Sequence, residues 1–225
     1  MRQDTQATRA QIVAVAERLF AERGVEAVSF REINEAAEQR NRSATQYHFG
    51  DKSGLIEAIF AKHTPSIEAN RGQLLDAVEA DGQACDTWRL TECLVLPVAA
   101  KLDDPDGGRA FVQLSARLIG DPDMPLVPRG LMKPGPGTGR LLRLMAAAVD
   151  MPPGVQGPRM TIATGMLFHG LSDFSASAPA RRRSQAQELF VSALVDAITA
   201  VVGSEPSPAT RRRLIQQRRV RPGRR

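Results

Sequence analysis

Aromatic side chains make up only 4% of this 225-residue sequence, with one tryptophan and one tyrosine. A core so poor in rings must be filled by Ala, Leu, Val and Ile, which suits helices better than sheets. The two cysteines, Cys85 and Cys93, are too few for a disulfide framework. They lie two helical turns apart, too far for a bond within one helix, and belong to no metal spacing. They read as small buried hydrophobes in a reducing cytoplasm. There are three histidines, no phosphate-cradling glycine loop and no zinc pattern. His169 with Asp173 four residues on is compatible with a hydrogen bond or half a metal site, but reads as a satisfied polar pair or a contact to whatever fills a pocket, so neither an enzyme, a cofactor nor a metal is expected. The longest apolar run, Leu94 to Ala100, is too short to span a bilayer and contains Pro97. The first residues are polar, so no signal peptide is expected, and the protein is read as cytoplasmic and free of the membrane.

The net charge of +5 is unevenly spread. Ser204 to Arg225 holds eight arginines against one acid, Glu205, and so carries +7; the rest sums to −2. Residues 1–52 hold eight basic and eight acidic side chains. The basic balance is therefore a property of the tail. The local clustering of Arg40, Arg42, His48 and Lys52 is the better sign of a nucleic-acid partner.

That cluster sits in the stretch SFREINEAAEQRNRSATQYHFGDK, Ser29 to Lys52. Ser29 with Glu32 has the spacing of a capping box, and Phe30, Ile33, Ala36 and Ala37 share one helical face. After Gln39-Arg40-Asn41 a second box is expected at Ser43 with Gln46. The second helix should turn Ala44 and Tyr47 inward and leave Arg42, Thr45, Gln46 and His48 outward. Gly50 can end it. Two short capped helices joined by a tight turn, the second cationic outside, describe a DNA-reading helix-turn-helix, though a plain helical hairpin has the same spacing. Before it, Ile12, Val15, Ala16, Leu19 and Phe20 form the stripe of a supporting helix that starts near Asp4 or Thr5 and closes at Gly24.

Tyr47-His48-Phe49-Gly50-Asp51-Lys52, followed by Gly54-Leu55-Ile56, resembles the TetR family of bacterial one-component transcriptional regulators. So does the order of Gly24, Phe30-Arg31-Glu32-Ile33, Ala36-Ala37 and Ser43-Ala44. The resemblance covers about the first sixty residues. It departs at the turn, where Glu38-Gln39-Arg40-Asn41 replaces the family's usual Ala-Gly-Val; Asn41 is a candidate for the left-handed residue. The resemblance implies DNA contacts from Arg40, Asn41, Arg42, Ser43, Thr45, Gln46, Tyr47, His48 and Lys52. Of these Arg42, Thr45 and Gln46 are placed to read bases, and Tyr47, His48 and Lys52 to position the phosphates.

The expected fold is all-α: a three-helix helix-turn-helix domain over 1–53, a larger helical ligand-binding and dimerisation domain over 54–203, and an Arg-rich disordered tail over 204–225. The tail is either simply solvated or drawn to DNA phosphates. A helix starting at Leu55 is interrupted or bent by Pro65 and leads into the second domain. Further helices are expected at about Thr87–Leu102 with a kink at Pro97, Gly107–Ile119, Arg140–Val149, Gln156–Ser175 and Arg182–Val202. The Pro/Gly-rich stretch Gly120–Gly139 reads as a loop able to act as a lid.

In the last long helix Leu189, Phe190, Leu194 and Ile198 lie on a stripe too broad for one contact, which argues for a homodimer interface, with Gly165 and Gly170 of the preceding helix allowing close approach. The resemblance implies dimerisation by these last two helices, a palindromic double-stranded operator and a small-molecule effector. Trp88, Cys93, Phe111, Gln113, Arg117, Met166, Phe168, His169 and Asp173 are the candidate ligand residues, mainly apolar with a few orienting polar groups; Leu96, Leu114 and Met145 extend the apolar set. The sequence therefore reads as a ligand-released transcriptional repressor, or alternatively as a DNA-binding architectural dimer that senses nothing.

Overall fold

A computed structural model describes residues 2–39, 41, 43–119, 134–149, 151–177 and 183–220. All regular elements among them are helical. They are α1 (Arg2–Arg23), α2 (Phe30–Ala36), α3 (Ala44–Phe49), α4 (Lys52–Ala80), α5 (Thr87–Ala99), α6 (Gly108–Ile119), α7 (Pro136–Ala148), α8 (Pro153–Ser177), α9 (Arg183–Gly203) and α10 (Pro208–Val220), with a 3-10 turn at Ala100–Asp103. The first three form a small unit against the start of α4. Behind it α4 packs on α5 and α7, α5 on α9, α9 on α8, and α8 on α6. α6 also lies along α1, which joins the two parts.

Several ends are sequence-encoded. Ser29 accepts from the backbone N–H of Glu32 while the Glu32 carboxylate accepts from the N–H of Ser29, a complete capping box. Asp51 caps α4 through the N–H of Gly54, and Asp86 caps α5 through those of Trp88 and Arg89. Pro136 occupies the first turn of α7, where a missing N–H costs nothing.

The two internal prolines have different surroundings. Pro65 was expected to interrupt or bend its helix; α4 runs through it unbroken for 29 residues. Pro65 and Ala61 are both exposed, so the Ala61 carbonyl, left without its usual donor, has access to water. Pro97 is buried in α5, and the carbonyl it cannot serve is that of Cys93. Arg71 of α4 supplies the donor: its Nε reaches the Cys93 oxygen at 3.1 Å and its second terminal nitrogen reaches that of Leu94 at 3.4 Å. The same guanidinium pairs with Glu68 at 2.7 Å and donates to Thr138 Oγ1 of α7 at 2.6 Å. Burial lowers the affinity of Arg71 for its proton, opposed by the Glu68 charge. Burial also raises Glu68, but the Thr138 hydroxyl and N–H and the charge of Arg71 outweigh it and hold the carboxyl below its ordinary value.

The tail was expected to be disordered, yet residues 208–220 form α10. Ser207 accepts from the N–H of Thr210 and Pro208 opens the helix. Arg211 binds the Pro206 carbonyl at 2.9 Å, and Leu214 lies against Gly154 of α8. Arginine is itself a good helix former, so a run of arginines is compatible with a helix once its start is capped and one apolar residue docks. Most of the expected lid stretch, residues 120–133, lies outside the described residues; its end is the start of α7, which begins four residues before the expected Arg140.

Replacing Arg71 with methionine keeps most of the volume but leaves Glu68 without its cation and the Cys93 carbonyl without its donor. The expected loss is about 3–5 kcal/mol of stability, as for breaking a buried pair, read as a lower urea midpoint at unchanged slope. Pro97→Ala, which returns an N–H to α5, should shrink that loss in the double variant; a loss of the same size in both backgrounds would show that the Cys93 contact is incidental.

Candidate nucleic-acid interface

The turn between α2 and α3 is built around Asn34. It is buried, and its Oδ1 accepts from both the backbone N–H of Thr45 at 3.1 Å and the Thr45 hydroxyl at 2.6 Å. One side chain thus caps the start of α3 from inside α2. This replaces the capping box expected at Ser43 and Gln46, for Ser43 makes no side-chain cap. Asn41 does not supply the left-handed residue. That is Glu38, at φ 52°, while Asn41 Oδ1 accepts from the N–H of Ser43 at 3.0 Å.

The rotation of α3 therefore differs from expectation. Thr45 was placed outward and is fully buried; Tyr47 was placed inward and is 82% exposed. Ala44 and Thr45 are buried and His48 and Phe49 are half-buried, a stripe of adjacent pairs one turn apart. In α2 the same correction makes Asn34 an inward residue and Ala36 an exposed one. Asn41, Ser43, Gln46 and Tyr47 present the exposed surface of this unit. His48 packs edge-on between Tyr47 and Phe49, with ring centroids 5.2 and 6.1 Å away. Arg9 of α1 lies over the Phe49 ring at 5.0 Å and ties α3 down. Arg40 and Arg42 lie outside the described residues.

The passage from α3 to α4 explains the glycines of the quoted motif. Gly50 ends α3 at φ 74°. A Cβ on Gly54 would sit 2.1 Å from the carbonyl oxygen of Phe49, so only glycine lets α4 start so close to α3. Lys52, expected on a phosphate, instead donates to the carbonyls of Val25 at 2.9 Å and Glu26 at 3.3 Å and pairs with the Glu26 carboxylate at 3.6 Å. It serves the backbone beyond α1, whose carbonyls need donors.

The candidate ligand residues are not brought together. Trp88 lines an open groove of about 410 Å³ between α5 and α9. Phe111 packs edge-on to Phe60 and stacks on His63 at 4.5 Å. Cys93, Phe168 and Leu114 are buried in the core and Met166 packs against it; burial pushes the Cys93 thiol up to about 11, so it stays protonated. Gln113 donates to Ser175 at 3.3 Å across α6 and α8, while His169 and Asp173 are exposed. Arg117 was assigned to a pocket but binds the Ala21 and Glu22 carbonyls at 2.9 and 3.3 Å, capping the last turn of α1 with a cation. Of the candidate interface residues, Leu194 and Ile198 are buried within the chain, Phe190 stacks on Phe174 at 4.7 Å, and Leu189 is 74% exposed. The buried line of α9 runs through Val191, Leu194, Val195, Ile198 and Val202, one step round from the stripe read in the sequence.

Sequence reasoning missed Asn34 and Glu17. Both are polar residues on otherwise apolar helical faces: Asn34 follows Ile33 and stands three residues before Ala37, and Glu17 follows Ala16. Glu17 is buried, pairs with Lys62 at 2.9 Å and bonds to His63, while Lys62 reaches Asp106 at 2.8 Å. Burial lowers Lys62, but hydrogen bonds to Asp106 and Glu17 outweigh it and raise its affinity for the proton.

A supporting helix, two short helices fixed by a shared cap, and an exposed face on the second define a helix-turn-helix DNA-binding unit. Residues 12–59 match the family described as bacterial regulatory proteins, tetR family. The N-terminal unit is therefore similar to the DNA-binding domains of bacterial regulatory proteins of the tetR family. No curated protein matches the chain.

Asn34→Ala should leave two buried donors of Thr45 without an acceptor, at about 1–3 kcal/mol each, and release α3. Urea denaturation and DNA binding measure the two effects; an Asn34→Ala protein as stable as its parent would show that the cap is dispensable. A second outcome concerns pH. The Ser29 N–H, then the Ser29 hydroxyl, then Arg23, hold the Glu32 carboxyl down from 4.5 to about 2. Its folded value is depressed, so its contribution is complete above 4.5 and fades as pH falls towards 2. The difference in thermal midpoint between the parent and Glu32→Gln should close over that interval.

Proposed function

We propose that this regulator is a dimeric repressor that leaves a palindromic operator when a small, mainly apolar ligand occupies its second domain. The observation that carries this reading is α4. It begins at Lys52, directly after the DNA-facing α3, and continues without a break to Ala80 among α5 and α7. A displacement of α5 or α7 therefore has a rigid route to the spacing of the reading helices. A ligand acts only if it favours the DNA-incompetent spacing over the competent one.

Dimerisation is supported by what the chain leaves uncovered. Gln185–Gly203 has a mean hydropathy of 1.5 and is long and apolar enough to cross a membrane, yet only 22% of it is buried. Its open face alternates Leu189, Ala193 and Ala197 with Ser192 and Asp196, a mixture suited to a second protein surface more than to lipid. Ile162 of α8 is 54% exposed beside it, and a side chain added at Gly165 would meet open space. Two copies joined here would present two α3 helices to DNA about a two-fold axis, hence a palindrome. Within each unit Gln46 and Tyr47 face the groove, with Gln46 suited to adenine. Such a protein works in the cytoplasm, where its operator is.

The alternative, an architectural dimer without a ligand, draws on the packed positions of Cys93, Phe111 and Phe168, which fill space that an internal pocket would need.

Leu189→Glu, on the exposed face, should give a folded monomer by sedimentation, with DNA affinity reduced at least about a hundredfold, as loss of one of two linked half-sites implies. Leu194→Glu, inside the chain, should unfold it instead. A folded Leu189→Glu dimer that still binds operator would remove the proposed interface. Selection of bound sequences from random DNA tests the palindrome directly.

A further inference from the structure

The groove between α5 and α9 has a chemistry of its own. Its floor is apolar, with Leu96, Val191 and Val195 beside the Trp88 ring. The indole is held at the edge by its N–H, which donates to Asp196 at 2.9 Å. The polar lining is acidic. Glu92, Asp103 and Glu188 contribute carboxylates, and among the described residues no lysine or arginine takes part. Glu92 is paired with Arg89 at 2.9 Å; among the described residues Asp103 and Glu188 have no cationic partner. Gln187 lies among them, 9% exposed, and its Nε2 donates to Asp103 at 2.7 Å. A carboxylate can only accept, so the amide end facing Asp103 must be the NH₂. The other end is then an oxygen, and among the described residues this buried Oε1 meets no donor. A buried acceptor left unpaired costs free energy that a bound donor would recover.

We propose that this groove binds an organic cation: an aliphatic or aromatic body on the apolar floor, and a protonated amine that donates to Gln187 Oε1 under the field of Asp103 and Glu188. Its volume of about 410 Å³ falls in the range of small-molecule sites, which are apolar with a few placed polar groups. The acidic lining rejects carboxylates and phosphates of the same shape. This names a ligand class for the sensing role proposed above, and rests on that role only for its effect on DNA.

Trp88 is the sole tryptophan, so its emission reports the groove directly. Full-length protein is titrated with phenylbutylamine, phenylbutanol and phenylbutyrate, and operator binding is measured in parallel. The amine should saturate the Trp88 signal at least about tenfold more tightly than the alcohol, as a charge-assisted bond requires, and the carboxylate should not bind. Gln187→Leu, and separately the exposed-site variant Glu188→Gln, should bring the amine towards the alcohol. Equal binding of amine and alcohol, or no saturable signal from folded protein, overturns the site. Saturation by the amine at unchanged operator affinity upholds the site and overturns the sensor reading. Operator release by the amine without a Trp88 response places sensing elsewhere and overturns the groove.

Discussion

A proline in the middle of α5 creates a demand that a single arginine meets. Because Pro97 has no N–H, the Cys93 carbonyl would be stranded inside the protein. Arg71 reaches it from α4 and gives its other donors to the Leu94 carbonyl, to Glu68 and to Thr138 of α7. Three helices are thereby fixed by one planar group whose donors point in set directions, which a flexible ammonium would not reproduce. Since α4 is also the helix that starts at the DNA-binding unit, its placement against α5 and α7 rests on this cluster. The other attachments between the two parts follow the same logic. Arg117 and Lys52 serve the carbonyls at and beyond the end of α1, and Glu17 offers Lys62 and His63 an acceptor. Charged side chains that look like surface groups in the sequence are here spent on backbone ends and buried partners.

Much of the architecture was legible because it is local. The Ser29–Glu32 box, the stripe through Ile12, Ala16, Leu19 and Phe20, and the Phe49-Gly50-Asp51 sequence each state their structure within a few residues. The rotation of α3 was not legible, because six residues make too short a wave to phase. The phase is set instead by Asn34, eleven positions earlier in sequence. The role of Arg117 depends on a carbonyl 96 positions away, which no window on the sequence contains. The tail misled for a compositional reason. Proline, serine and arginine suggest disorder in bulk, whereas Ser207 followed by Pro208 is a helix start and Leu214 is an anchor.

The candidate ligand residues show a related limit. Apolar residues on helices that surround an interior either line a cavity or fill it, and sequence spacing is the same in both cases. Phe111 and Phe168 fill it. The one that lines open space, Trp88, does so on the outer side of α5 against α9, because Pro97 and Arg71 hold the other side of α5 against α4.

Glu38 occupies a backbone conformation that glycine adopts freely and glutamate does not, at an estimated strain of about 1 kcal/mol. Its exposed carboxylate also stands in the turn between α2 and α3. Glutamate and glycine codons differ at a single base. A relaxed turn and one fewer negative charge beside α3 are thus one nucleotide substitution away, and both would arrive together. The residue in place keeps the turn slightly strained and a negative charge next to α3.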